Sequence, residues 1–203
     1  MTTRDRILKA AWEIIVAKGD DALTMGSVAQ ASGLSRQALY LHFKDRADLL
    51  VELVVYGDQQ SGRADWRHEI ELVEGGVARL RALVTNYQER ASRLSAVIRP
   101  VESARYRDVA AATAHSRRIR DSRVWADRFI VQILREEGRI HESWTSAEAV
   151  AIILNFINFR AWDDFTSDYR WSRQRFIDVA TSAILGSLAA PVDRRSTGRR
   201  VRR

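Results

Sequence analysis

Residues 19–49 read GDDALTMGSVAQASGLSRQALYLHFKDRADL, and this stretch decides the architecture of the N-terminal part of the chain. It contains two short helical segments, each preceded by a hydroxyl residue that can cap it: Thr24 for one, and Ser35 for the other, which extends to about Phe43. Between them, Gly33 can adopt a positive φ without steric penalty, as a tight turn requires. Two short helices joined by such a turn form a helix-turn-helix, and we call this pair the reading head.

Longer helices are predicted on both sides of this pair. The first has Thr2 or Thr3 as its cap and ends at Lys18-Gly19, and the fourth runs from the cap Asp45 to about Gln60. Apolar residues of the first helix recur at helical spacing at Ile7, Leu8, Ala11, Trp12, Ile14 and Ile15. Because a helix-turn-helix pair is too small to be stable alone, we expect the first helix to supply its missing apolar face.

The same stretch resembles the DNA-binding domain of the TetR family of transcriptional regulators. The family pattern is a glycine, a threonine, V-A-x-x-x-G-[LV]-S and then L-Y-x-[HY]-F-x-x-[KR]-x-x-L, and the chain meets every position between Gly19 and Leu49. The resemblance implies an all-α protein with an N-terminal three-helix helix-turn-helix domain and a C-terminal helical domain that binds a ligand and dimerises. It also implies a regulator, most simply a ligand-released repressor, that binds double-stranded DNA.

Helical geometry separates structural from contacting residues on the third helix. At about 100° per residue, Leu39 and Phe43 share one face, and we predict that they pack on Ile7, Ala11 and Val28. The opposite face holds Gln37, Ala38 and Leu41, which we predict to face the major groove.

Arg36, near the helix start, is the predicted base reader, because its fork matches guanine O6 and N7, while Gln37 suits adenine and Ala38 or Leu41 a thymine methyl. The resemblance assigns phosphate contacts to further residues and places a glycine, Gly26, where some members have a base-contacting side chain. The predicted DNA-binding set is Thr24, Ser35, Arg36, Gln37, Ala38, Tyr40, Leu41, His42, Lys44 and Arg46. Each of three residues also has an alternative role without DNA contact. Arg36 would then be a solvated surface residue, His42 a histidine at the edge of the core, and Tyr40 a packing residue.

The remainder of the chain is predicted to be helical, giving about nine helices in all. After the fourth, the pattern predicts helices over residues 77–94, 100–105, 108–137, 145–165 and 172–190. We predict three regions: a DNA-binding domain over 1–48, a ligand-binding and dimerisation domain over 49–192, and a disordered arginine-rich tail over 193–203.

The predicted eighth helix, over 145–165, is apolar on almost all sides, so it must be buried on all sides. In a chain this short, a subunit interface is the natural cover, and the ninth helix adds a stripe of small residues. The resemblance likewise implies a homodimer on a palindromic operator, held by C-terminal helices. The predicted interface residues are Phe156, Phe176, Ala180, Ala183, Ile184 and Ser187.

The resemblance also implies a pocket for a small, largely apolar effector between the reading head and the dimer helices. The predicted lining residues are Tyr87, Tyr106, Trp125, Phe129, Asn155, Asn158 and Trp162. Plain core packing is the alternative for the aromatic residues. Asn155 and Asn158 need hydrogen-bond partners in an apolar helix, either from a ligand or from an interface or backbone group.

Composition excludes several other classes. With no cysteine, the chain has no disulfide, thiolate zinc site or cysteine nucleophile. No segment is apolar enough to span a membrane and no signal peptide is visible, so we expect a cytoplasmic location and no membrane partner. Most of the net charge of +7 comes from six arginines against Asp193 in residues 193–203.

Two alternatives to a specific regulator remain. The first is a helical enzyme, such as a di-metal carboxylate bundle, but His68, His115 and His141 lack the paired Glu-x-x-His arrangement which that chemistry needs. We therefore expect no metal, no cofactor and no catalytic residues. The second is an architectural DNA-coating protein that binds through its arginine tail.

Overall fold

The computed structural model describes residues 1–60, 63–104, 106 and 109–192, and within these ranges the secondary structure is helical, without a β-strand. The helices are α1 Thr3–Lys18, α2 Met25–Ala31, α3 Arg36–Tyr40, α4 Arg46–Gln60, α5 Arg63–Leu72, α6 Gly76–Ala104, α7 Val109–Ala126, α8 Gln132–Glu136, α9 Ser146–Phe156, α10 Phe159–Asp163 and α11 Arg173–Ala189. A 3₁₀ turn, Asp20–Ala22, precedes α2. Two π-helical turns, Asp127–Val131 and Asp164–Asp168, follow α7 and α10. The all-α prediction is confirmed.

The predicted helix starts of the N-terminal region are confirmed, but α3 ends at Tyr40, before the predicted end near Phe43. Thr2 caps α1 in a reciprocal arrangement: the Asp5 backbone N–H donates to Thr2 Oγ1 (3.1 Å), and the Thr2 N–H donates to Asp5 Oδ2 (2.8 Å). That backbone donor holds the pKa of Asp5 below its usual value. Gly19 and Gly33 both have positive φ, 82° and 67°, which end α1 and turn the chain between α2 and α3.

One hydrophobic core joins α1 to the short helices. Leu39 and Phe43 are fully buried in the same cluster as Ile7, Ala11 and Val28, as predicted from helical geometry. The cluster also takes in Leu49, Leu50 and Leu53 of α4. The reading head is therefore packed on α1 and α4, which orient it.

The described chain falls into two compact units. The first holds residues Met1–Glu69 and Asn86–Asp121, and the second holds Ile70–Thr85 and the chain from Ser122 onward. Both α6 and α7 begin in one unit and end in the other. These units are defined by contacts and do not test the predicted division at residues 48 and 49, which remains a prediction; the predicted tail over 193–203 lies outside the described residues.

Two predicted helices are continuous in the structure. We expected Pro100 to separate a helix ending near Leu94 from a short one, but α6 runs through Pro100 to Ala104. An internal proline removes one backbone hydrogen bond and costs about 3 kcal/mol. Burial of Val97 and Ile98 on the same stretch of α6 opposes that loss. The helix α5 was not predicted, because only Trp66 and Ile70 among its described side chains are buried.

One predicted helix is broken. The sequence indicated a single helix over 145–165, whereas α9 ends at Phe156 and α10 begins at Phe159. Asn158 makes the break, because its Oδ1 accepts from the Ala161 backbone N–H (3.0 Å) and thereby caps α10. Within the described ranges, no helix is both long and apolar enough to cross a membrane.

Candidate nucleic-acid interface

The start of α2 is fixed by hydroxyl groups. Thr24 Oγ1 accepts from the Ser27 backbone N–H (3.0 Å), and Ser27 Oγ accepts from the Thr24 N–H (3.0 Å). Ser27 Oγ also donates to the Ala22 carbonyl oxygen (2.7 Å), which ties the helix to the preceding 3₁₀ turn. Thr24, predicted as a phosphate contact, is therefore first of all a helix cap, and it remains exposed.

Ser35 has the same capping role on α3. Its Oγ accepts from the Ala38 backbone N–H (3.1 Å), and α3 then runs from Arg36 to Tyr40. Leu39 is the buried member of this helix, so the residues on either side of it are turned toward the surface. The cap and the buried leucine together fix which side chains the helix presents.

The outward face of α3 consists of the predicted base-reading residues. Arg36 and Gln37 are exposed and make no side-chain hydrogen bond or ion pair within the part of the chain that the structure describes. Leu41 is 84% exposed, which is unusual for a leucine on a folded surface, and Ala38 is half-buried beside it. This face offers one guanidinium fork, one amide and one aliphatic side chain to a partner.

The predicted phosphate contacts occupy three different environments. Tyr40 is 45% exposed and His42 is half-buried. Lys44 is exposed, and its ammonium group forms no ion pair among the described residues. Arg46 is instead engaged by the segment before α2: its Nε donates to the Leu23 carbonyl oxygen (2.8 Å) and its Nη2 to that of Asp20 (3.2 Å).

Two residues that were not predicted also organise this region. The Arg4 guanidinium lies 4.5 Å from the centre of the Phe43 ring, donates to the His42 carbonyl oxygen (3.1 Å) and pairs with Glu52 (3.0 Å). Asp20 forms an ion pair with Arg46. No sequence pattern indicates the contacts of these two residues, because each looks like an ordinary charged residue near the end of a surface helix.

A groove of about 560 Å³ lies between the 3₁₀ turn and α3. Its lining includes Asp20, Thr24, Gly26, Arg36, Tyr40 and Arg46. At Gly26 a Cβ would meet only the Thr24 hydroxyl, at 3.7 Å, so α2 projects no side chain from this position into the groove. The groove is thus open at this position of α2, and α3 contributes Arg36 and Tyr40 to its lining.

The predicted effector residues are divided between the two units. Tyr87 and Tyr106 belong to the first unit, and Tyr106 is 77% exposed. In the second unit, Trp125 donates through Nε1 to Glu71 Oε1 (2.7 Å), and Phe129 packs beside it. Trp162 is buried, and its indole N–H has no acceptor among the described residues. The side chain of His115 lies outside the described residues.

The two predicted asparagines find their partners in the backbone. Asn155 Nδ2 donates to the Ala151 carbonyl oxygen (2.8 Å) on its own helix, and its side chain is exposed. Asn158 donates to the Asn155 carbonyl oxygen and caps α10. Of the two kinds of partner we expected, the structure supplies the backbone one.

The predicted dimer residues differ in how deeply they are buried within a single chain. Phe176, Ala180 and Ile184 are buried within a single chain, so they pack the core of their own unit and leave no surface for a second copy. Ala183, Ser187 and, on α9, Phe156 are half-buried. From Val179 onward, the exposed residues of α11 are Val179, Ser182, Gly186 and Ala189, and those on α9 are Ala147, Ala151 and Asn155.

Comparison with known proteins identifies the N-terminal segment. Residues 7–53 match the sequence profile described as bacterial regulatory proteins, tetR family. The transcriptional regulator AcrR of Shigella flexneri is 28% identical over 87 residues, which cover 43% of this chain and 40% of AcrR. The regulator QacR of Staphylococcus aureus is 30% identical over 69 residues, which cover 34% of this chain and 36% of QacR. The chain thus spans less than half the length of these curated relatives.

The fold is similar over nearly the whole chain to solved regulators. The structure of Thermus thermophilus FadR, described as a TetR-family transcriptional repressor in complex with lauroyl-CoA, superposes with a TM-score of 0.69 at 18% identity and covers 94% of this chain and 97% of that one. The identity is too low to carry more than the fold. The profile match shows that residues 7–53 are similar to the TetR family of bacterial regulatory proteins, and the superposition shows that most of the chain shares the fold of such a regulator.

Proposed function

We propose that this protein is a sequence-specific regulator of transcription that binds a palindromic DNA operator as a homodimer. The observation that carries the proposal is the outward face of α3. Arg36, Gln37 and Leu41 reach into solvent without partners in the described chain, on a helix whose orientation is fixed by a capping serine and a buried leucine. Arginine and glutamine pair in bidentate fashion with guanine and adenine, and an aliphatic group contacts the thymine methyl.

The outward faces of α9 and α11 support the homodimer. The exposed residues in the C-terminal half of α11 are short and uncharged, and nothing lies within 4 Å of the position that a Cβ at Gly186 would occupy. Short side chains allow helices to approach closely, because the interaxial distance depends on the side chains at the contact. A two-fold pair of reading heads would then match two half-sites about one helical turn apart.

We further propose that the regulator is a repressor released by a small, largely apolar effector that also carries a hydrogen-bond acceptor. Trp162 supports the acceptor, because a buried indole N–H without a partner costs about 1–3 kcal/mol that a ligand carbonyl would recover. Two structural relatives called FadR, from Bacillus subtilis and Thermus thermophilus, are described in complex with stearoyl-CoA and lauroyl-CoA. A fatty acyl thioester is thus a reasonable first probe for this chain.

The test begins with DNA selection. The purified chain is mixed with a library of random duplexes, bound duplexes are enriched, and the selected sequence is footprinted. We expect one protected site with two-fold symmetry and half-sites about 10 base pairs apart. Uniform protection of every duplex would instead support the DNA-coating alternative.

The effector is tested on the selected duplex. Lauroyl-CoA, stearoyl-CoA and the free fatty acids are titrated into the complex, and release is followed by fluorescence anisotropy. Linkage requires that DNA weaken effector binding by the same factor that effector weakens DNA binding. An acyl ligand that saturates the protein and leaves operator affinity unchanged would contradict the release mechanism and leave the DNA-binding proposal standing.

A further inference from the structure

Arg46 and Lys44 lie two residues apart at the start of α4, yet their side chains have different surroundings. Lys44 extends into solvent, and its ammonium group has no partner in the described chain. The Arg46 guanidinium contacts three acceptors at once: the carbonyl oxygens of Leu23 and Asp20, and the Asp20 carboxylate. Sequence resemblance treats the two residues alike as phosphate contacts, whereas the structure separates them.

The acceptors of Arg46 belong to the segment that positions α2. Asp20 opens the 3₁₀ turn, and Leu23 closes it, one residue before the cap of α2. Leu23 is 1% exposed, so its carbonyl oxygen is shielded from water while the guanidinium is in place. A buried carbonyl without a donor is unfavourable, and a charged donor forms the stronger kind of hydrogen bond.

These acceptors occupy Nε and Nη2 of Arg46, so a DNA phosphate could bind the guanidinium only through Nη1 unless it displaced them. The ion pair also cancels the charge of Asp20 at the edge of the groove that contains Arg36. The ammonium group of Lys44 has no partner to displace in the described chain, and it forms no ion pair with a carboxylate there. A planar fork is suited to holding several acceptors in fixed directions, and a lysine ammonium is suited to a single phosphate as a point charge.

We propose that Arg46 is a positioning residue, which ties the first turn of α4 to the turn before α2 and does not bind phosphate. The proposal rests on the proposed DNA-binding function. It implies that Arg46 raises operator affinity by holding α2 and α3 in one arrangement, while Lys44 raises affinity through its charge.

Salt dependence separates the two roles. Each phosphate contact contributes about 0.9 to the slope of log affinity against log salt concentration. We measure this slope by anisotropy for the wild type, Arg46→Ala, Arg46→Lys and Lys44→Ala, on the selected operator and on a random duplex of equal length. Lys44→Ala is the matched control, because it removes one positive charge from the same segment.

We expect Arg46→Ala to lower operator affinity about tenfold, the size of one charge-assisted hydrogen bond, with the salt slope unchanged. Arg46→Lys should fail to restore affinity, since an ammonium cannot reproduce the fork. Lys44→Ala should reduce the slope by about 0.9 for each phosphate that the lysine neutralises. A reduced slope for Arg46→Ala, or full affinity for Arg46→Lys, would overturn the proposal.

Thermal unfolding without DNA gives an independent measurement. Arg46→Ala and Arg46→Lys should each lower the melting temperature by about 3 °C or more, and Lys44→Ala should not. Equal stability of all four proteins would also overturn the proposal. If the wild type binds no selected duplex, the proposed function fails, but the unfolding data still decide whether Arg46 supports the fold. If Arg46→Ala does not fold, Arg46→Lys carries both measurements.

Discussion

Two helices of this protein present faces that their own unit leaves uncovered, and the chemistry of the two faces differs. On α3 the uncovered side chains are long and carry hydrogen-bonding groups, as in Arg36 and Gln37. On the C-terminal half of α11 they are short, as in Ser182 and Gly186. A long fork or amide reaches the edges of bases in a groove, and a surface of small residues admits another helix. The length and polarity of an uncovered face thus indicate the kind of partner it fits.

The largest expected effect comes from placing a long charge on the α11 face. Ser182→Arg should give folded monomers, because Ser182 is exposed and its replacement leaves the core untouched. A monomer has one reading head and cannot bind both half-sites of the operator at once. Operator affinity should therefore fall by about 10²–10⁴-fold. Analytical ultracentrifugation and anisotropy measure the two changes. Ser182→Ala is the control and should remain dimeric; a dimeric Ser182→Arg protein would place the interface elsewhere.

The next effect concerns the α3 face. Arg36→Ala should lose about 1–3 kcal/mol of discrimination per half-site, the usual value of a bidentate guanine contact. The ratio of operator to random-duplex affinity should therefore collapse, with dimerisation retained. Lys44→Ala removes the same charge and should lower both affinities together, which leaves that ratio intact. If Arg36→Ala keeps the wild-type ratio, the reader is another residue of the face.

A smaller effect is expected in the support beneath the reading head. A Cβ at Gly57 of α4 would lie 2.5 Å from the Trp12 ring, so Gly57→Ala should force Trp12 to move. Overpacking of this kind costs about 1–3 kcal/mol, which exceeds the gain of up to about 1 kcal/mol from replacing a helical glycine. Denaturant unfolding should show net destabilisation. Gly26→Ala, where space is available, is the matched control and should be neutral or stabilising.

The smallest effect is electrostatic and lies on α11. The Arg81 guanidinium, 2.6 Å from Asp178, holds the pKa of that carboxyl below its usual value of 3.8. The ionised form is therefore favoured in the folded state. Its contribution is complete at neutral pH and disappears as the pH falls through the lowered pKa. Asp178→Asn should make acid unfolding slightly less steep in that range; an unchanged acid profile would show that solvent screens the pair.

The reading head was predictable from sequence because its signals are local. Thr24, Gly33 and Ser35 each act within three residues of their own position, and the buried Leu39 fixes the phase of α3. A cap, a turn and a helical stripe of apolar residues were therefore sufficient to predict the two helices and the turn between them. Arg46 and Arg4 are exceptions in this region, because their partners lie more than twenty residues away and no sequence pattern connects them.

In the α9–α11 region, the sequence predicted that helices form but did not predict which of their faces are buried. Its apolar content correctly indicated helices, and Asn158, for which a ligand, an interface or a backbone partner was open, is the cap of α10. On α11, both faces carry small or apolar residues, so periodicity alone could not tell which one packs inward. Phe176 and Ile184, which we predicted at the interface, are buried within a single chain.

The π-helical turn Asp127–Val131 has a consequence for how this part of the chain tolerates the deletion of a residue. Such a turn holds one more residue than the α-helical turn it replaces. Removing one residue from α1 would rotate everything beyond it by about 100° and turn its core face outward. Removing the exposed Arg128 should instead close the bulge into an α-helical turn and keep Ala126 and Leu134 facing inward. A deletion of one residue should therefore be accepted here and rejected in α1.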